Sequence, residues 1–328
     1  MKWLFRCALS VRALLVGCVA LLGPAAPALG QSYPTKPIQI VVPFPPGGNA
    51  DMSVRFLSSK WSEFIGQPFV IINKPGAGSA VGAKFVADAQ PDGYTLLAAT
   101  DSAMVTVRIA QGDPGYSLES FDPLFAYGRG IILFGVQENG PYKTFADFVA
   151  AAKSQPGKLT YASYGVGTVA HFVAELLWRN VGISLKYVPF RSSPEANAAL
   201  LGGQVHMSVP AVIGGMKPGS GIRFLASTAP ARLAGAPYIP TLAEVGQPLE
   251  LTFLLGLAAP KGIPDDVKTK LLDAHRKAMA KYRSEIEEQF TRLEVIPAEV
   301  DAAGMRKHLD DRQAWYSELA PSMGLAKK

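Results

Sequence analysis

Four loops in this 328-residue chain hold the residue types from which a site for a small anion can be built. The first is Pro43-Phe44-Pro45-Pro46-Gly47-Gly48-Asn49-Ala50-Asp51, set between the β-branched run Ile38, Ile40, Val41, Val42 and a stretch with Val54, Leu57, Trp61 and Phe64 at helical spacing. This pattern predicts a buried strand, a tight turn, and a helix that stops at Gly66. The prolines stiffen the turn, and Gly47 and Gly48 let main-chain N–H groups approach whatever sits above the helix amino terminus. Unpaired donors and about half a positive charge there suit a carboxylate or phosphate. The plainer alternative is an ordinary capped turn with Asn49 or Asp51 as N-cap.

The same device recurs. A strand at Leu159–Ala162 leads into Ser163-Tyr164-Gly165-Val166-Gly167-Thr168 and then a helix bearing Val169, Phe172, Val173, Leu176 and Leu177. Ala77 and Gly78 lie in a glycine-rich turn after the strand Phe69–Ile72, and Thr100-Asp101-Ser102 follows the strand Tyr94–Ala99. All these loops sit at carboxyl ends of strands, where α/β sheets bind ligands. Arg191 directly follows the strand Lys186–Phe190. Its planar guanidinium is shaped to hold a second carboxylate, although a solvated surface charge is the alternative. Phe44 and Tyr164 are either packing residues or walls for the ligand.

Catalysis finds little support. The four histidines, His171, His206, His275 and His308, are scattered, and the chain has no HExxH, no GxSxG and no GxxxxGK[ST]. Ser163 with His171 offers a nucleophile and base in principle, but a loop hydroxyl and a first-turn polar residue is the simpler reading. Gly165-Val166-Gly167 lacks the further glycine of a dinucleotide fingerprint. Cys7 and Cys18 both fall in the first thirty residues, so thiol chemistry and cysteine-ligated metals are not expected beyond them. No cofactor and no metal is expected.

The elements that position these loops alternate strand and amphipathic helix, which predicts α/β architecture with mostly parallel sheets. Residues 1–30 read instead as a secretory leader: basic Lys2, Arg6 and Arg12, an apolar stretch from Ala13 to Gly23, and Ala28-Leu29-Gly30 before Gln31. Processing at Cys18 in the manner of a lipoprotein ranks below simple secretion. The whole chain carries a formal charge of +6, of which the leader's three basic residues account for half, leaving too mild a charge for nucleic acid. The tail from Asp301 to Leu319 reads as a last surface helix. The pattern gives two α/β lobes, each with an anion-seeking loop.

At this point the ordered motifs resemble a known family. Tyr33-Pro34-Thr35-Lys36-Pro37-Ile38, the Pro43–Asp51 loop, Asn73-Lys74-Pro75-Gly76-Ala77-Gly78, Pro91-Asp92-Gly93-Tyr94, Tyr161-Ala162-Ser163 with Gly165–Thr168 and His171, Leu201-Gly202-Gly203-Gln204-Val205, and Ala259-Pro260-Lys261-Gly262 are similar to the Bug-type receptors of tripartite tricarboxylate transporters. The resemblance implies a type II periplasmic binding protein-like fold. Residues 31–130 with 245–328 would form one lobe and 131–244 the other, closing as a Venus flytrap on a carboxylated solute. It implies that Phe44, Pro46, Gly47, Gly48 and Asn49 hold a ligand carboxylate together with Ser163, Tyr164, Gly165, Val166, Gly167 and Thr168. Ala77, Gly78, Thr100, Asp101, His171 and Arg191 complete the expected site. The implied partners are a small organic acid and a membrane permease, with the receptor itself a periplasmic monomer. A sensor partner and an enzyme of carboxylated molecules are the rival readings. Arg191, His206 and Leu254-Leu255 depart from the family's usual glycine, acidic residue and tryptophan.

Overall fold

Strand β1 (Ile38–Val42) is the middle of a parallel trio, with β2 (Phe69–Asn73) on one side and β3 (Thr95–Thr100) on the other. Ile38, Ile40, Val41 and Val42 are wholly buried, as a β-branched run covered on both faces should be. The computed structural model describes residues 33–211 and 218–325; the leader reading, with Cys7 and Cys18, lies outside the described residues.

Beyond β3 the first sheet turns antiparallel. Strand β4 (Phe121–Gly130) leaves toward a second sheet, and β10 (Phe253–Pro260) returns from it, so the two meet head to tail. The order is β11-β4-β10-β3-β1-β2, with β11 (Ile296–Asp301) at one edge. The second sheet has the order β7-β6-β8-β5-β9, from β5 (Leu133–Gln137), β6 (Thr160–Ser163), β7 (Lys186–Pro189), β8 (Met207–Val209) and β9 (Ile222–Ser227). In it β6 pairs parallel with β7 and β8, while β5 pairs antiparallel with β8 and β9. Both sheets are therefore mixed where the sequence pattern suggested mostly parallel ones. A strand that leaves and one that re-enters need no crossover helix between them.

Helix α1 (Asn49–Ile65) runs from the first loop and ends at Gly66, which takes the left-handed conformation at φ 80°. Its Val54, Leu57 and Trp61 face the first sheet, and the Trp61 ring lies 5.7 Å edge-on from Phe125. Helices α2 (Ala80–Ala87) and α3 (Val107–Gln111) follow in the same lobe. The second lobe carries α4 (Phe145–Ser154), α5 (Val169–Val181) and α6 (Ser193–Leu201). The chain then returns to α7 (Asp265–Lys281), α8 (Arg283–Leu293) and α9 (Ala302–Leu319). α9 is more than the surface helix its polar sequence suggested. Met305, Leu309 and Tyr316 are fully buried, and Tyr316 packs 5.0 Å from Phe172 of α5 in the other lobe.

The chain crosses between the sheets at Ile131–Ile132 and again after Ser227. Thr228 ties both crossings together. Its hydroxyl accepts from the Ile132 N–H at 3.0 Å and donates to the Leu251 carbonyl at 2.6 Å. Its own N–H reaches the Ile132 carbonyl at 2.9 Å, and its carbonyl accepts the Leu251 N–H at 3.0 Å.

Candidate functional site

The first loop is fixed from below by one carboxylate. Asp51 accepts from the Gly47 N–H at 3.0 Å, from Arg55 Nε at 2.9 Å and from Asn73 Nδ2 at 2.8 Å. Burial alone would raise its pKa; the bonds from Arg55, Asn73 and Gly47 outweigh that and hold it below the usual carboxylate range. Asn73 Nδ2 also donates to the Phe44 carbonyl at 3.0 Å, which anchors the loop to β2. Gly48, rather than Asn49 or Asp51, is the N-cap of α1, and no side chain caps it. The Asn49 amide instead crosses to the other lobe and donates to the Ala211 carbonyl at 2.9 Å.

The second loop is held by aromatic stacking. His171 lies 4.0 Å from Tyr187 with rings nearly parallel, and its Nδ1 accepts the Gly167 N–H at 3.1 Å. Burial lowers its pKa to about 4, so it is neutral at physiological pH and free to accept. The Ser163 hydroxyl bonds with the Tyr187 hydroxyl at 2.8 Å. Ser163 and His171 thus each serve the loop through Tyr187. Thr168 turns its hydroxyl back to the Gly165 carbonyl at 2.9 Å, and the Val169 N–H of α5 donates across the cleft to Ser102 Oγ at 3.1 Å.

Asp101 points elsewhere. It is fully buried and accepts from the Leu254 N–H at 2.9 Å, with His308 Nε2 of α9 at 2.9 Å and Arg312 Nε at 3.9 Å. Its role is to bind α9 to the carboxyl end of β3. On the second lobe, Ser192 caps α6 by accepting the Glu195 N–H at 3.3 Å, and the Glu195 carboxylate accepts the Arg191 N–H at 3.1 Å. The Arg191 side chain is exposed and, among the described residues, has no carboxylate within ion-pair distance.

Two hollows lie between the lobes. A narrow inner chamber is lined by Phe44, Gly48, Asn49, Thr100 and Tyr164 of the expected residues, with Ser102, Ser192, Ser193, Ala211 and Phe253 added. An outer cleft of about 1560 Å³ takes in Phe44, Ala77, Gly78, Tyr164, Gly165, Val166 and Arg191, with Gly76, Ser79, Gln111, Phe190 and Glu195 added. Pro46, Gly47, Asp101, Ser163, Gly167, Thr168 and His171 line neither hollow. Ser192 and Ser193 had a readable signal, since they follow a strand and open a helix; Gln111 and Phe253 had none. The lobes touch across the site: Gln111 Nε2 donates to the Val166 carbonyl at 2.8 Å, and a Cβ on Gly78 would sit 2.7 Å from that same oxygen. Among the described residues no cluster of metal-ligating side chains occurs.

Residues 54–325 match the model of the tripartite tricarboxylate transporter family receptor, TctC. The chain belongs to that family. It is 33% identical to the protein BugT of Bordetella pertussis over 250 residues, covering 74% of this chain and 76% of that one. Among solved structures, the periplasmic binding protein BugD superposes with a TM-score of 0.83 at 25% identity, over 90% of this chain and all of that one. The R. palustris protein Rpa4515 with adipate superposes with a TM-score of 0.81 at 29% identity, over 90% and 99%. Like its TctC relatives, the chain has the two-lobe periplasmic binding protein fold, and it is a solute-binding receptor rather than an enzyme.

Proposed function

We propose that the chain captures a small organic acid in the periplasm and delivers it, as a monomer, to the membrane permease of a tripartite tricarboxylate-type transporter. The observation that carries this reading is that two helix amino termini from opposite lobes, α1 at Gly48–Asp51 and α6 at Ser192–Ser193, meet at the inner chamber. Each brings about half a positive charge, and α1 brings N–H groups that no side chain caps. Among the described residues the one carboxylate lining that chamber, Asp51, is already satisfied by Arg55, Asn73 and Gly47. The adipate held by the R. palustris relative supports a carboxylate ligand.

The lobes in this reading are 31–130 with 245–328 and 131–244, and the division of the strands between two sheets supports it. In this reading Arg191 takes a second carboxylate from the outer cleft, and the leader directs export. A thermal-shift screen of the chain from Gln31 onward against mono-, di- and tricarboxylates and aromatic acids tests it. At a hundred times its dissociation constant, the true ligand adds about 2.7 kcal/mol to native stability. A folded protein that no organic acid stabilises would overturn the reading.

A further inference from the structure

Glu294 breaks three local rules together. It ends α8 in the left-handed region at φ 55°, where glycine is the usual residue. Its side chain is buried, the whole residue being only 7% exposed. Among the described residues its carboxyl has no hydrogen bond and no ion pair, and burial pushes its pKa up to about 7. Rules broken at one point are how a functional site differs from the scaffold around it.

The residue lies on a hollow of about 640 Å³ that shares no lining residue with the inner chamber or the outer cleft. Leu233 and Gly235, from the segment after β9, form one side; Val295, Ile296 and Pro297, where α8 turns into β11, form the other. Three other polar or charged groups lie on the hollow or beside Glu294: Thr291, whose hydroxyl donates to the Glu287 carbonyl at 2.8 Å, and then Arg232 and Tyr238. Arg232 is occupied, its Nε bonded to Glu244 at 2.9 and 3.0 Å and its NH1 to the Pro237 carbonyl at 2.8 Å. The Tyr238 hydroxyl has its pKa raised, first by burial and then by the Glu294 charge. None of the three neutralises the carboxylate.

We propose that this hollow is a second ligand site, taking a small organic ammonium whose apolar body lies on Leu233, Val295, Ile296 and Pro297 and whose charged head meets the Glu294 carboxylate. An unpartnered carboxylate in an apolar setting is unfavourable, and a charge-assisted N–H···O bond removes that penalty. A hard divalent cation does not fit, because it needs several oxygen ligands and the walls are largely aliphatic.

Binding needs the ionised carboxyl. With a pKa of about 7, the ammonium should bind roughly tenfold more weakly at one unit below that value than on the alkaline plateau. The experiment is an NMR titration of the chain from Gln31 onward with n-butylammonium chloride at pH 8.5 and pH 6.0, with n-butanol as the neutral match. The expected result is saturable shifts around the hollow at pH 8.5, about tenfold weaker at pH 6.0, lost in Glu294→Gln, and not reproduced by n-butanol. Glu294→Gly, which restores the usual residue for this backbone, should also lose binding and covers the case in which the glutamine variant fails to fold. An absent response at pH 8.5, an equal response to n-butanol, or undiminished binding in either folded variant would overturn the proposal.

Discussion

Phe44 and Tyr164 meet edge to face across the cleft, one ring from each lobe, with centroids 6.1 Å apart and planes at 81°. Each ring lines both hollows, so the pair is the partition between the inner chamber and the outer cleft. Tyr164 is buried, and its hydroxyl faces the Ala170 N–H of its own lobe and Ser102 of the opposite lobe. Tyr164→Phe keeps the ring and removes both polar contacts, which is expected to weaken solute binding about three- to tenfold. Phe44→Ala also loses an aromatic pair worth about 0.5–1.5 kcal/mol beyond its burial, so it should cost more. Calorimetric titration of the solute identified by the acid screen decides; a Tyr164→Phe protein that binds like the parent would contradict the role given to the hydroxyl.

Asn49 reaches Ala211 only when the lobes are together. Asn49→Ala should therefore reduce solute affinity by about 1 kcal/mol, close to fivefold, without lowering the melting temperature of ligand-free protein. Equal losses in both measurements would mean that the bond serves folding rather than closure.

If Arg191 holds a second carboxylate, Arg191→Ala should weaken a dicarboxylate by about 1.5–3 kcal/mol and leave its monocarboxylate analogue nearly unchanged. Because the side chain is exposed and its guanidinium has no carboxylate partner among the described residues, stability should hardly move. Parallel titrations of the two ligands provide the comparison.

Acid should destabilise the protein through two histidines. His171 titrates at about 4 and His275 at about 3, both lowered from the ordinary 6.5 chiefly by burial. A lowered folded-state pKa gives stability that is complete above 6.5 and is lost as pH falls toward those values. Protonating His171 also removes the acceptor for the Gly167 N–H, so solute affinity should fall in the same range. Glu294 acts in the opposite direction. Its folded pKa of about 7 exceeds the ordinary 4.5, so its contribution is greatest below 4.5 and is lost as pH rises to 7. Melting temperature against pH for His171→Gln and Glu294→Gln separates the two: the first should flatten the acid limb, the second the neutral one.

Thr228→Val leaves the Ile132 N–H and the Leu251 carbonyl without their hydroxyl partner in a buried crossing. A loss of about 2–3 kcal/mol in urea unfolding is expected. An unchanged midpoint would show that the crossings do not depend on this side chain.

Sequence patterns revealed the local devices far better than the long-range ones. The strand–turn–helix at Ile38–Ile65 was legible because a β-branched run, two glycines and a helical stripe are local signals. β4 was not, since Pro123, Gly128 and Gly130 are poor strand formers. Those glycines are there for space: a Cβ on Gly128 would sit 2.5 Å from Val295 Cγ1, and one on Gly130 would collide with the Phe253 ring. Asp101 looked like a loop residue facing a ligand, and only the fold shows that His308 and Arg312 of α9 face it. No spacing rule reports a pairing between residues so far apart in the chain.

The placement of β10 between β3 and β4 sets an order of assembly. Strands of the second sheet all fall between Leu133 and Ser227, so that lobe can form from one continuous stretch of chain. The first sheet cannot. Among the described residues β4 pairs there with β10 and β11 alone, and Thr100 must wait for Leu255. A growing chain thus carries β1, β2 and β3 as an incomplete trio, with the apolar edge Leu97-Ala98-Ala99 unpaired, until synthesis passes Pro260. Closing so long a loop is slow, and an unpaired edge invites association with other chains. A helper that shields this edge, or delays folding until the whole chain is present, would act on the step where the topology makes the protein most vulnerable.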